Sequence, residues 1–160
     1  MPAAMWPTVA GSLHTLWSQL GLTLADSTPV GVWEGRPYGW DDMLAGVAIG
    51  VDGAYVDGNS GEFEQTWRDA GPAPDAHREE TGEVVCTLWV SSGEDDMATV
   101  RDAAFGILDA LWAAVDDIGS LDPTGNRVVS VWIARADPML IRQAGCLAEI
   151  PFRLRYRAVF

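Results

Sequence analysis

The sequence predicts an α+β fold: a mixed or antiparallel sheet of about five to six strands, with one long and one short helix packed on one face. Three observations predict it. Residues 97–118 keep one apolar face at helical spacing for about six turns. The closing segment 147–159 alternates with a period of two. The order of segments is helix, three or four strands, long helix, two strands, which departs from the regular alternation of a parallel βα fold.

Each element follows from its own pattern. From Thr8 to Leu20, the residues Val9, Leu13, Leu16, Trp17 and Leu20 recur at helical spacing, with Gly21 at the C-cap position. Val30 to Glu34 is a short strand closed by Gly35-Arg36-Pro37. Leu44–Val51 and Glu62–Trp67 flank a stretch dense in Asp, Gly, Asn and Ser, and so are expected to pair as a hairpin with an exposed loop over 52–61. A second exposed loop is expected over 69–82, which is polar and contains proline. Glu83 to Val90 is apolar on both faces, as in a central strand. Ser91 and Ser92 are the expected caps of the long helix, whose first turn then holds Glu94, Asp95 and Asp96, where acids favour the dipole. Arg127 to Ala134 is strand again. In the last strand Ile150, Phe152, Leu154, Tyr156 and Ala158 face one way, while Arg153, Arg155 and Arg157 face the other.

Length and composition narrow the class. A chain of 160 residues fits a single domain over 1–160, with residues 1–7 as a flexible N-terminal arm. A 48% hydrophobic content is too high for a disordered acidic chain. Its apolar runs break well before the ~20 residues needed to cross a bilayer, so no membrane association is expected. The first residues lack a basic n-region, so no secretory signal is expected either. Cys86 and Cys146 sit in strand-like apolar runs and read as reduced core thiols, which points to assembly in a reducing cytoplasm.

There are 23 acids, 10 Arg and no Lys, for a net charge of −13. That balance argues against ordinary nucleic-acid binding, which draws its affinity from cations. The charge is also lopsided: residues 1–92 hold 13 acids and 3 Arg, 93–122 hold 8 and 1, and 123–160 hold 2 and 6.

Catalytic and metal signatures are not found. Glu94, Asp95 and Asp96 are consecutive and cannot converge from a helix on one ion. The stretch from Asp57 fails the calcium-loop pattern at Gly61 and Arg68. His14 and His77 have no ligand or triad spacing around them, and glycine-rich phosphate motifs do not occur. No cofactor, metal or catalytic residue is therefore assigned, and an enzyme is not expected. The Arg153, Arg155, Arg157 row is either a solvated face or a set of partners for acids on a neighbouring strand or another subunit. Trp6, Trp33 and Trp40 lie in weakly periodic segments and are further interface candidates, with core packing the alternative.

These features together resemble the tail terminator (tail completion) proteins of long-tailed bacteriophages, especially those of phages infecting high-GC actinobacteria. The resembling residues are Val32-Trp33-Glu34-Gly35, Trp40-Asp41-Asp42-Met43-Leu44-Ala45-Gly46-Val47, Arg78-Glu79-Glu80 ahead of Glu83-Val84-Val85-Cys86-Thr87-Leu88-Trp89, the acidic helix start with Arg101, and the strand from Ala148 to Phe160. The resemblance implies a subunit of a homohexameric ring that caps the finished tail tube, stops its elongation and receives the neck proteins of the filled head. It implies a virion protein at the head-proximal end of the tail, assembled in the host cytoplasm. Its partners would be itself, the tail tube protein and the head-completion proteins, with DNA passing the lumen unbound. An acidic lumen suits that passage, since carboxylates repel phosphate. Asp52, Asp57, Glu62, Glu94, Asp95 and Asp96 are the lumen or rim candidates, and Arg153, Arg155 and Arg157 the subunit-interface candidates. The alternatives are a head-completion or neck connector protein and, from another class, a small acidic cytosolic enzyme or binding domain.

Overall fold

A computed structural model describes residues 4–51, 60–68, 77–94, 96–118, 120–121 and 128–159. Its elements in chain order are α1 (Trp6–Ser18), β1 (Gly31–Glu34), β2 (Ala45–Ile49), β3 (Gly61–Arg68), β4 (His77–Ser92), α2 (Met97–Ile118), β5 (Val128–Ala136), β6 (Met139–Gln143) and β7 (Gly145–Val159). The fold is α+β, with both helices on one face of a mixed seven-stranded sheet.

Two long strands carry the sheet. β4 and β7 run antiparallel from Glu79 opposite Val159 to Ser92 opposite Cys146. Each is flanked by two short strands lying end to end. β2 and β3 follow one another along β4, while β5 and β6 follow one another along β7. β1 then covers β2 in parallel, Val32 opposite Val47. Between β2 and β3 the chain leaves and rejoins β4 at one residue: Val85 O accepts from Gly50 N–H at 2.6 Å and Val51 N–H at 3.1 Å, and Val85 N–H donates to Ser60 O at 3.0 Å.

This topology revises the expected hairpin. β2 and β3 do not pair with each other, because both use the same edge of β4. It also revises the loop expected over 69–82, whose residues 77–82 form the first third of β4; residues 69–76 lie outside the described residues. Polarity suggested a loop there, but Arg78, Glu79 and Glu80 are buried, and the two acids bond to groups on neighbouring strands. β6 escaped the sequence pattern because Asp137-Pro138 and Gln143-Ala144-Gly145 leave it only five residues long.

The core lies between sheet and helices. α1 contributes Val9, Leu13 and Trp17, and α2 contributes Val100, Ala104, Ile107, Leu108, Leu111 and Val115 at the spacing expected from its apolar stripe. Trp17 packs on Phe152 at 6.0 Å between ring centroids, and its indole N–H donates to Leu111 O at 3.2 Å, tying α1 to α2. The far face of the sheet carries a second aromatic cluster. Trp33 stacks on Trp89 at 5.9 Å, Trp40 meets the same ring edge-on at 5.8 Å, and Arg36 lies 5.0 Å above Trp40. Gly46 makes room for this stack: a Cβ there would stand 2.5 Å from the Trp89 ring and 2.6 Å from that of Trp33.

The start of α1 is fixed by a buried carboxylate. Glu80, fully buried on β4, accepts from Met5 N–H at 2.9 and 3.0 Å, from the Gln65 amide of β3 at 2.6 Å and from the Tyr156 hydroxyl of β7 at 2.6 Å. Of the arm expected over 1–7, residues 1–3 lie outside the described residues, whereas Met5 is buried and the helix begins at Trp6. The Tyr156 ring lies against Gly82, where a Cβ would come within 2.5 Å of it.

Burial, then the hydrogen bond to Glu80 and its charge, push the Tyr156 phenol well above its ordinary value of 10.0. The folded state thus holds this proton more tightly than the unfolded chain. Its contribution to stability is complete below about pH 10 and declines as pH rises past it. Urea unfolding between neutral pH and pH 11 should show that decline, and Tyr156→Phe should flatten it. Glu80→Ala should cost roughly 3–5 kcal/mol at neutral pH, since it leaves the buried Met5 N–H and Tyr156 hydroxyl and the half-buried Gln65 amide without their acceptor.

Candidate assembly surface

The face of the sheet opposite the helices carries the arginine row, and register explains what it meets. Arg155 stands opposite Glu83 and Arg157 opposite Thr81, one pleat from Glu79. Arg153 reaches Glu83 at 2.6 Å and Arg155 reaches it at 3.4 Å, while Arg157 grips both oxygens of Glu79 at 2.7 and 3.0 Å. The acids opposite the row are therefore on the neighbouring strand of the same chain. Hydrogen bonding to Glu79, reinforced by its charge, raises the Arg157 pKa. Arg155 is the most open of the three, with 62% of its side chain exposed.

Arg155 and Arg157 floor a trough of about 560 Å³ across the four strands β3, β4, β7 and β5. Glu62 and Glu64 of β3 stand on one side of it and Trp132 of β5 on the other. The three arginines of the row share two glutamates, Glu79 and Glu83, so a positive excess remains over β7 and the trough offers electrostatic complementarity to an acidic surface.

The acidic candidates do not form one patch. Asp52, Asp57 and Asp95 lie outside the described residues. Glu62 is exposed beside the trough, opposite Glu83. Glu94 and Asp96 lie past the far end of β4, on the order of 30 Å away at ~3.3 Å per strand residue. The helix starts later than the sequence suggests. Ser91 and Ser92 belong to β4, because pairing with β7 continues to Cys146. The cap of α2 is Asp96, whose carboxylate accepts from Thr99 N–H at 3.2 Å and the Thr99 hydroxyl at 2.6 Å. Those bonds lower its pKa. Glu94 lies before the helix rather than in its first turn, its N–H donating to Ser92 Oγ at 3.2 Å.

The tryptophans also redistribute. Trp6 packs on the core and donates to Glu83 O at 3.0 Å, while Trp33 and Trp40 are half-buried in the far-face cluster. The open aromatics lie elsewhere: Tyr38 is 103% exposed, Phe63 51%, Trp112 47% and Trp132 44%. Trp112 falls on the flank of α2 beside β5, where it lines a cleft with Val115, Val131, Trp132 and Ile133. Helical periodicity could place Trp112 off the buried stripe, but only the tertiary fold shows it beside an open strand.

Cys86 and Cys146 are buried thiols outside any disulfide, and burial raises the Cys86 pKa well above that of an open thiol, which leaves it unreactive. Among the described residues no group of His, Cys, Asp and Glu is placed to hold a metal ion. No helix is long and apolar enough to cross a membrane among them.

No family model matches the chain, and no curated protein matches it. Among solved structures, a chain from the virion of a native gene transfer agent (GTA) particle is similar to it, at 17% identity over 98% of this chain and 96% of that one, with a TM-score of 0.45.

Removing Glu83 tests how much the ladder holds. Glu83→Gln should lower the unfolding free energy by only about 1 kcal/mol in dilute buffer, because both of its arginines reach water. The loss should shrink in concentrated salt, which chemical denaturation at two ionic strengths would measure.

Proposed function

We propose that this chain is a structural subunit of a phage-like virion, and more narrowly a tail terminator that forms a homohexameric ring on the finished tail tube. The observation that carries an assembly role is the pair of open aromatics Trp112 and Trp132, which line one cleft at the β5 edge, with Phe63 open on the β3 edge. Open apolar groups gathered at a sheet edge are characteristic of surfaces that complete their burial against a partner. The paired floor of the trough and the protonated, buried Cys86 thiol supply none of the activated groups an enzyme needs. The terminator role itself rests on the resemblance of residues 32–35, 40–47, 78–80 and 83–89, the acidic helix start with Arg101, and 148–160. In that role the ring stops addition of tube protein and presents its outer rim to the neck. A neck connector would use the same kind of surface, and the two roles differ in which partner they bind.

The test adds the purified chain to tail-tube protein as tubes polymerise. A terminator should halt growth and appear in negative stain as a ring at one tube end. Unimpeded growth, with the chain monomeric at high concentration, would refute the role; binding to isolated heads but not to tubes would favour the connector.

A further inference from the structure

Among the described residues three strands besides β1, namely β3, β5 and β6, pair on one side only; β3 lies on one edge of the sheet, and β5 and β6 lie end to end on the other, β5 being the longer. The β1 edge is closed, because the His14 ring of α1 lies 3.2 Å from Val32 O in hydrogen-bonding contact. β3 pairs only with β4, and β5 only with β7. The start of β5 is covered: Val129 N–H donates to Ser120 Oγ at 3.1 Å, and Leu121 N–H donates to Val129 O at 3.3 Å. From Val131 to Ala136 the β5 edge has no neighbouring strand among the described residues.

Strand directions make these edges compatible. β3 is antiparallel to β4, β4 to β7 and β7 to β5, so β3 and β5 run in opposite directions. Two copies in the same orientation, side by side, would continue the sheet antiparallel across their junction. A continuous sheet keeps its two faces, so the side chains fall on known sides whatever the register. Phe63 stands opposite Gly82, which stands opposite Tyr156, so it shares the helix-facing side. Glu62 and Glu64 take the other side.

What awaits them matches on both sides. On the helix side of β5 lies a small cleft of about 30 Å³ between α2 and the strand, lined by Trp112, Val115, Asp116, Val131, Trp132 and Ile133, with Trp112 open at its mouth. On the other side lies Trp132, with Arg155 and Arg157 one strand further in. Thus an exposed Phe faces an exposed Trp, and two exposed acids face the arginine side of the trough.

We infer that the partner of the β3 edge is the β5 edge of a second copy of this chain. Phe63 of one copy packs against Trp112 at the mouth of the cleft between α2 and β5 of the next, and Glu62 and Glu64 lie on the side of its Trp132, Arg155 and Arg157. The contact joins unlike surfaces, so it propagates from copy to copy and closes into a ring when the rotation permits. This inference rests on the ring-forming role proposed above and specifies the joint that role requires.

Two variants at exposed positions test it, Phe63→Glu on the β3 side and Trp112→Glu at the cleft mouth. Circular dichroism should show both folded. By light scattering, each alone should associate at least about tenfold more weakly than the unaltered chain, as expected on losing an aromatic anchor. Mixed in equal amounts, they should form a dimer through the one intact joint, the β3 edge of the Trp112→Glu copy on the cleft of the Phe63→Glu copy. If the unaltered chain forms rings but either variant assembles normally, or the mixture stays monomeric, the joint is wrong while the ring reading stands. A chain that is monomeric alone and on tail tubes overturns both.

Discussion

Glu80 is the residue on which the arrangement turns. A carboxylate out of water is costly unless its oxygens are bonded, and here the start of α1, an amide from β3 and a hydroxyl from β7 all converge on it. One side chain on β4 thereby fixes three elements that are far apart in sequence. Position follows from it: with α1 anchored at Met5, Trp17 lands between Phe152 and α2, and the helix layer acquires its spacing over the sheet.

The ladder on the opposite face is of a different kind. Its arginines are partly solvated, so each pair is worth little energetically. What it sets is charge layout. By neutralising Glu79 and Glu83 internally, it leaves Glu62 and Glu64 as the outward negative groups on β3, while residual positive potential stays over β7. Part of the polarity visible along the chain, acidic to residue 122 and basic beyond it, becomes in three dimensions a contrast between the β3 edge, with Glu62 and Glu64 open, and the arginines of the interior strand β7.

Much of this was legible in the residues. The class, the long helix, both central strands and the two faces of β7 all follow from periodicity, because each element buries a regular stripe. The helix cap, the start of β4 and β6 did not. Asp96 sits four residues after the serines that looked like caps, a choice made by how far β4 and β7 stay paired. Residues 77–82 read as loop because Arg78, Glu79 and Glu80 are charged, and only the neighbouring strands supply the partners that allow burial. The candidate surface was half visible for the same reason. The alternation exposed the arginines, whereas the edges that remain open depend on pairing order, which no local pattern encodes.

Val85 has a consequence for how this protein tolerates change. Because its own N–H and C=O hold both the departure at Val51 and the return at Ser60, the distance between those two points is set by a single strand residue. The end of β2 and the start of β3 are therefore coupled through one backbone unit, and a proline at position 85, which removes the N–H, would free the return at Ser60 while leaving the departure held.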